Sequence, residues 1–172
     1  ANQGQVYETF NMAELWRLPV VFVIENNKYA MGTAIERSSA TTNLSQRGQS
    51  FAIPGWQVDG MDVRAVAEAG RLAGEWTRAG NGPFILEMLT YRYRGHSMSD
   101  PAKYRTREEV EKVRHDQDPI EQVRKRLLAL KVSEDELKAI DREVRGVVNA
   151  AAAFALDAAE PDPSELATDV LC

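Results

Sequence analysis

The chain has 172 residues, 44% of them hydrophobic, enough for one core-bearing domain with or without an appendage. Its net charge of −5 argues against a basic nucleic-acid surface, and no apolar run approaches the ~18 residues of a membrane span. The single cysteine, Cys172, excludes an internal disulfide framework and suits a reducing compartment.

Ala1 to Gln5 has neither the basic start nor the apolar stretch of a signal peptide, and no initiating Met. The chain therefore reads as the interior of a longer one. Val6, Phe10 and Ala13, with Tyr7 and Trp16 alongside, predict an amphipathic helix to about Leu18, stopped by Pro19. Val20 to Ile24 is β-branched or aromatic throughout, which predicts a strand buried on both faces. Asn26-Asn27 marks its exit, because Asn tolerates tight backbone conformations and hydrogen-bonds its neighbours. Ala34 to Pro54 is polar and has no strong period, which predicts a surface loop with short turns, long enough to be functional or mobile.

Trp56 to Gly60 predicts a short strand. Asp62 can cap a helix carrying Val66, Ala69, Ala73 and Trp76 on one face, and Gly80 to Pro83 ends it. Phe84 to Tyr91 is a second clear strand, so residues 56–91 form a βαβ unit. Arg92 to Pro101 then leaves the carboxyl end of that strand, as Asn26-Asn27 leaves the first. In a parallel sheet both exits lie on one rim, where ligands of open α/β sheets bind.

The last third is helical. Helix starts are expected at Thr106-x-x-Glu109, Asp118-Pro119-x-Glu121 and Ser133-x-x-Glu136, the outer two as capping boxes. Ile120, Val123, Leu127 and Leu130 make one apolar stripe. A longer one runs from Leu137 through Ile140, Val144, Val147, Ala151 and Phe154 to Ala158, and part of it is expected to meet another chain. Pro161 and Pro163 end this helix. The three tryptophans read as packing, His115 as a surface residue, and the charges from Arg105 to Lys112 as a solvated helix face.

Two stretches can carry chemistry. At the first strand exit, the Asn27 side-chain oxygen and the Tyr29 backbone carbonyl suit a hard cation such as Mg²⁺, which keeps water and is often held by few protein groups plus phosphate. The alternative is a plain turn, since the carboxylate such a site wants is missing: Glu25 points to the strand face opposite Asn26. In the second loop, His96 between Gly95 and Ser97, behind Arg92 and Arg94, is either a solvated basic loop or one that faces an anion and moves a proton.

Ala1-Asn2-Gln3-Gly4-Gln5, Glu25-Asn26-Asn27-x-Tyr29-x-Met31-Gly32-Thr33 and Gly95-His96-Ser97-Met98-Ser99-Asp100-Pro101 together resemble the α subunit of the thiamine diphosphate-dependent component of 2-oxoacid dehydrogenase complexes. The resemblance covers nearly the whole chain, and its last motif is similar to the pyruvate type, not the branched-chain or acetoin type. It implies an α/β fold: the C-terminal part of a parallel-sheet thiamine diphosphate-binding domain over residues 1–105, then a helical extension over 106–172 that packs on it and on partner subunits. It implies thiamine diphosphate and Mg²⁺, with Asn27 and the Tyr29 carbonyl as metal ligands and cofactor contacts, and His96 as the catalytic residue that reaches the cofactor for acyl transfer to lipoyl. The family's Gly-Asp-Gly half of the motif, with its acidic metal ligand, would precede Ala1.

Further expectations follow from the resemblance. The substrate is a small 2-oxoacid. The partners are a β subunit, in an assembly of two α and two β chains, and a dihydrolipoyl acyltransferase core; the base that activates the cofactor belongs to β. Ser97 matches a serine phosphorylated in mitochondrial members, but Lys103 and Ala34 stand where two further phosphorylated serines lie. That favours a bacterial cytoplasmic protein over a mitochondrial-matrix one. The alternatives are an acetoin or branched-chain 2-oxoacid enzyme, or a fragment that only packs against partners.

Overall fold

The computed structural model describes residues 1–168, so Cys172 lies outside the described residues. Helix α1 spans Gly4–Leu15 and leads into β1, Val21–Asn26. The helix stops before Pro19 can stop it. Arg17 sits at φ 51°, Leu18 N–H donates to Ala13 O and Arg17 N–H to Glu14 O, the Schellman closure with an arginine in the left-handed position. A short hairpin follows, β2 (Tyr29–Ala30) against β3 (Thr33–Ala34), then one turn of helix α2 (Ile35–Ser38).

Next come a 3₁₀ helix over Leu44–Phe51, strand β4 (Gly55–Asp59), helix α3 (Val63–Arg78) and strand β5 (Phe84–Leu89). The sheet order is β1-β5-β4, and both pairings are parallel. The expected β4–α3–β5 unit is present, with Asp62 Oδ1 accepting from Arg64 N–H at the α3 N-cap. Strand β5 is central and almost wholly buried. One of its faces packs Phe84, Leu86 and Met88 against Val58 and the small α3 residues Ala69 and Ala73. The other packs Ile85 against Phe10 of α1 and Ile53.

The burial expected for the first strand is corrected. Strand β1 is an edge strand in this sheet, and Val23 is 60% exposed, because α3 covers β4 and β5 more than β1. The double-sided burial belongs to β5 instead. Also corrected is the surface loop expected over Ala34 to Pro54. Ile35, Leu44, Ser45, Gly48 and Ile53 are buried, and this segment roofs the second face of the sheet. A short 3₁₀ helix has too few turns to show a period, which is why the pattern failed. Its seat depends on Gly48: a Cβ there would lie 2.6 Å from Ile85 Cδ1 and 2.9 Å from Ile53 Cβ.

Trp56 and Trp76 meet Phe84 edge-to-face, with ring centroids 4.8 and 6.1 Å away, whereas Trp16 is 59% exposed and is not core. Helices α4 (Arg107–Gln117), α5 (Pro119–Ala129) and α6 (Glu134–Asp157) fill the last third. Among the described residues only Ser133 closes a full capping box; Thr106 accepts from Glu109 N–H, but the Glu109 carboxylate is taken by Tyr91. By compactness the chain forms two units, Ala1–Val123 and one that begins at Arg124. The division at 105/106 follows motifs rather than compactness and stays a proposal about function. In the second unit Leu137 is buried, while Ile140, Val144, Val147 and Phe154 are each more than half exposed. Among the described residues no helix is long and apolar enough to cross a membrane.

Candidate functional site

Strands β1 and β5 run parallel and in register from Val21↔Phe84 to Asn26↔Leu89, so their carboxyl ends stop side by side. The turn after β1 and the loop after β5 therefore share a rim. A cavity of about 210 Å³ opens there, lined by Asn27, Tyr29, Ala30 and Met31 from the first exit and by Arg92, His96, Tyr104 and Arg105 from the second. The structure thus brings together Asn27, Tyr29 and His96, residues that lie up to 69 positions apart in sequence.

The turn is built from Asn26 outward. Asn26 is buried, and its Oδ1 accepts from Lys28 N–H at 2.9 Å, an Asx turn that holds Lys28 at φ 65°. Asn27 then projects its amide beside Thr90, whose hydroxyl donates to Asn27 Oδ1 at 3.0 Å. An amide oxygen has two lone pairs, so one remains for a further partner. The Tyr29 ring packs on the Tyr104 ring, centroids 5.1 Å apart, which ties the hairpin to the second loop.

That second loop is organised by Asp100. One carboxylate oxygen accepts from His96 N–H at 2.7 Å and from the Tyr104 hydroxyl at 3.0 Å; the other accepts from Ala102 N–H at 2.9 Å. The His96 amide first, then the Ala102 amide and the Tyr104 hydroxyl, hold the Asp100 carboxyl below the usual carboxylate range. Gly95 is required by this closure, since a Cβ there would sit 2.8 Å from Asp100 O and 2.9 Å from its Cγ. Arg92 donates to His96 O at 3.2 Å, and the Ser97 and Ser99 hydroxyls lie 2.9 Å apart. His96 and Ser97 themselves are exposed.

Arg105 corrects the solvated-face reading of the charge run. Its guanidinium lies over the Tyr91 and Tyr104 rings, 5.1 Å from each centroid, and donates to the carbonyls of Arg92 and Arg94. Its Nε is sealed from solvent without a hydrogen-bond partner. Behind the loop, the Tyr91 hydroxyl donates to Glu109 and the Tyr93 hydroxyl to Asp118. Burial first, then these carboxylates, push both phenols up. His115 is exposed on α4, as expected.

The cavity lining carries two arginines and a histidine and no acid. Among the described residues no cluster of His, Cys, Asp and Glu could hold a metal by itself. An amide oxygen and a main-chain carbonyl beside a cationic wall suit a hard cation that arrives with phosphate oxygens of its own, and they suit the anion too. The residues present therefore fit a Mg²⁺-diphosphate group. Three contributors escaped the sequence: Tyr104 and Arg105, hidden at the head of a charge run, and Glu87, a buried acid on β5 hydrogen-bonded to Asn26. Glu87 had a readable signal, as the lone charge in the run Phe84-Ile85-Leu86-Glu87-Met88-Leu89.

A parallel sheet with a cationic, loop-lined cavity at its carboxyl rim defines an α/β protein of the kind whose ligand sites lie at that rim. More narrowly, the chain belongs to the dehydrogenase E1 component family, whose model matches residues 1–164. It is similar to the pyruvate dehydrogenase E1 component subunit alpha of Rhizobium meliloti, 64% identical over 172 residues, 99% of this chain and 49% of that protein. The subunit of the same name in Zymomonas mobilis is 57% identical over 171 residues, 99% of this chain and 48% of that one. The mitochondrial subunit of Dictyostelium discoideum is 56% identical over 172 residues, 99% of this chain and 45% of it. The chain spans about half the length of these curated relatives.

Proposed function

We propose that the chain is part of the α subunit of a pyruvate dehydrogenase that decarboxylates pyruvate oxidatively and passes the acetyl group to a lipoyl carrier, with thiamine diphosphate and Mg²⁺. The observation that carries this reading is the shared cavity: Asn27 and Tyr29 from one motif and His96 from another line a single space on the sheet's carboxyl rim. The named relatives, bacterial and mitochondrial, support pyruvate as the substrate and a bacterial cytoplasm or a mitochondrial matrix as the setting.

Thiamine diphosphate, when bound, supplies the electron sink that a decarboxylation needs. The chain's own residues have narrower tasks. Asn27 Oδ1 and the Tyr29 carbonyl would hold the metal, and the Thr90 hydroxyl, donating to that same Asn27 oxygen, fixes the amide. Arg92 and Arg105 offset the negative charge of a diphosphate. His96, carried on a loop pinned by Asp100, holds or moves a proton during acyl transfer. No side chain of this chain is assigned as the general base of the first step.

A β subunit and a lipoyl-bearing acyltransferase core complete the proposed assembly, two α and two β chains around the active sites. The exposed apolar residues of α6 support a protein partner for the second unit. The test is turnover by the full-length chain mixed with its β subunit. Release of carbon dioxide from pyruvate, faster than from a branched-chain 2-oxoacid or turnover of acetoin, supports the reading. Preference for either rival overturns the substrate, and absence of cofactor binding with β still captured leaves a packing role only.

A further inference from the structure

We propose that Glu87 is a positioning residue for the metal-facing turn, acting through Asn26; the inference rests on the cofactor reading above. Glu87 sits in the middle of β5, opposite Ile24 of β1 and Gln57 of β4, and is 0% exposed. Its carboxylate bridges two separate elements. Oε1 accepts from Asn26 Nδ2 at 2.7 Å, and Oε2 accepts from Ser45 N–H at 2.9 Å, in the first turn of the 44–51 3₁₀ helix. Burying a carboxyl group on neutral donors is costly, and an apolar residue would fill the same strand position more cheaply if packing alone were served. What an apolar residue cannot do is orient an amide.

The orientation matters because of what Asn26 does next. With Nδ2 held by Glu87, its Oδ1 is aimed at Lys28 N–H, 2.9 Å away. That bond keeps Lys28 in the left-handed region at φ 65°, a conformation that costs a lysine free energy and persists only where its surroundings over-determine it. Lys28 lies between the two proposed metal contacts, so its φ sets where Asn27 Oδ1 and the Tyr29 carbonyl point relative to each other. Glu87 touches neither cofactor nor metal. It fixes the residue that fixes the turn.

The chemistry allows a clean exchange. Glu87→Gln alone offers one acceptor oxygen to two donors, so Asn26 or Ser45 loses its partner. Combined with Asn26→Asp, the new amide at position 87 donates to the new carboxylate at position 26 and accepts from Ser45, while the carboxylate still accepts from Lys28. Every hydrogen bond returns with the charge moved from position 87 to position 26.

The test titrates Mg²⁺ into the full-length chain with its β subunit at saturating thiamine diphosphate. Amide hydrogen exchange of the 26–32 segment, followed without metal or cofactor, gives a second readout. Glu87→Gln is expected to weaken apparent Mg²⁺ affinity about 10- to 100-fold, as for other outer partners of metal-binding residues. Exchange at Lys28 rises about 5- to 10-fold, the loss of one hydrogen bond, and Glu87→Gln with Asn26→Asp restores both. A single variant that only lowers the melting temperature, with Mg²⁺ affinity of the folded protein unchanged, overturns the positioning role. So does a double variant that folds without regaining affinity, which is decisive even if the single variant fails to fold. Asn27→Ala separates the two readings. If it weakens Mg²⁺ binding and Glu87→Gln does not, only the role of Glu87 falls; if neither does, the metal site and the role fall together.

Discussion

The two exits from the sheet deliver residues to one cavity, but they are held in place by different means. The turn after β1 is fixed from beneath. Asn26 and Glu87 are buried, and their bonds run to the strands and to the 44–51 roof. The loop after β5 is fixed by itself. Asp100 gathers His96, Ala102 and Tyr104 within a few residues, and His96 to Ser99 remain exposed. A network tied to the core opens only when the core opens, whereas short-range bonds at the surface open locally. The first arrangement suits the cation-holding role proposed for the turn, and the second suits the acyl-transfer role proposed for His96.

Cutting into the core is expected to remove this contrast altogether. Ile85 is 0% exposed beneath the roof, so Ile85→Ala should cost about 2–5 kcal/mol in chemical denaturation. It should loosen turn and loop together. Asn27→Ala has a smaller effect on the fold. The melting temperature stays in place while apparent Mg²⁺ and cofactor affinity fall in calorimetric titration; unchanged affinity would take Asn27 out of the site.

Asp100→Asn is expected to act on the loop only. The His96 amide exchanges faster, the unfolding midpoint holds, and exchange at Lys28 does not move; a change at Lys28 would mean the two exits are not independent. The pH dependence has a definite sign. The Asp100 carboxyl is held below its ordinary value of 3.8, so its support of the loop is complete above that value. It is lost as pH falls through the depressed one. Protection of the His96 amide should therefore be the same at pH 6 and at about pH 5. His96→Ala disturbs the structure least. It should slow acyl transfer to lipoyl more than decarboxylation, and equal losses in the two half-reactions would contradict the role given to it.

The sequence made the sheet legible where burial is strong and continuous. Phe84 to Leu89 reads as a strand because every residue but one is apolar, and β4, α3 and β5 follow from turn residues and spacing. It misled where tertiary context decides. Val20 to Ile24 has the composition of an inner strand but lies at an edge, and the roof over residues 44–51 has no period to show. At the site, Asn27, Tyr29 and His96 were legible as motifs. Glu87 was legible only as a lone charge in an apolar run; its role shows once its two donors, Asn26 and Ser45, are seen converging on it. Arg105 was missed for the converse reason: a charged residue among charges gives no hint that two tyrosine rings hold it.

In the proposed function the turn after β1 faces a divalent cation. The most direct measurement is a crystal structure of the full-length chain with its β subunit, thiamine diphosphate and Mn²⁺ in place of Mg²⁺, phased at the manganese edge. An anomalous peak bonded to Asn27 Oδ1 and the Tyr29 carbonyl at about 2.0–2.3 Å is the expected result. A peak elsewhere on the rim, with Asn27 still bonded only to Thr90, would contradict it.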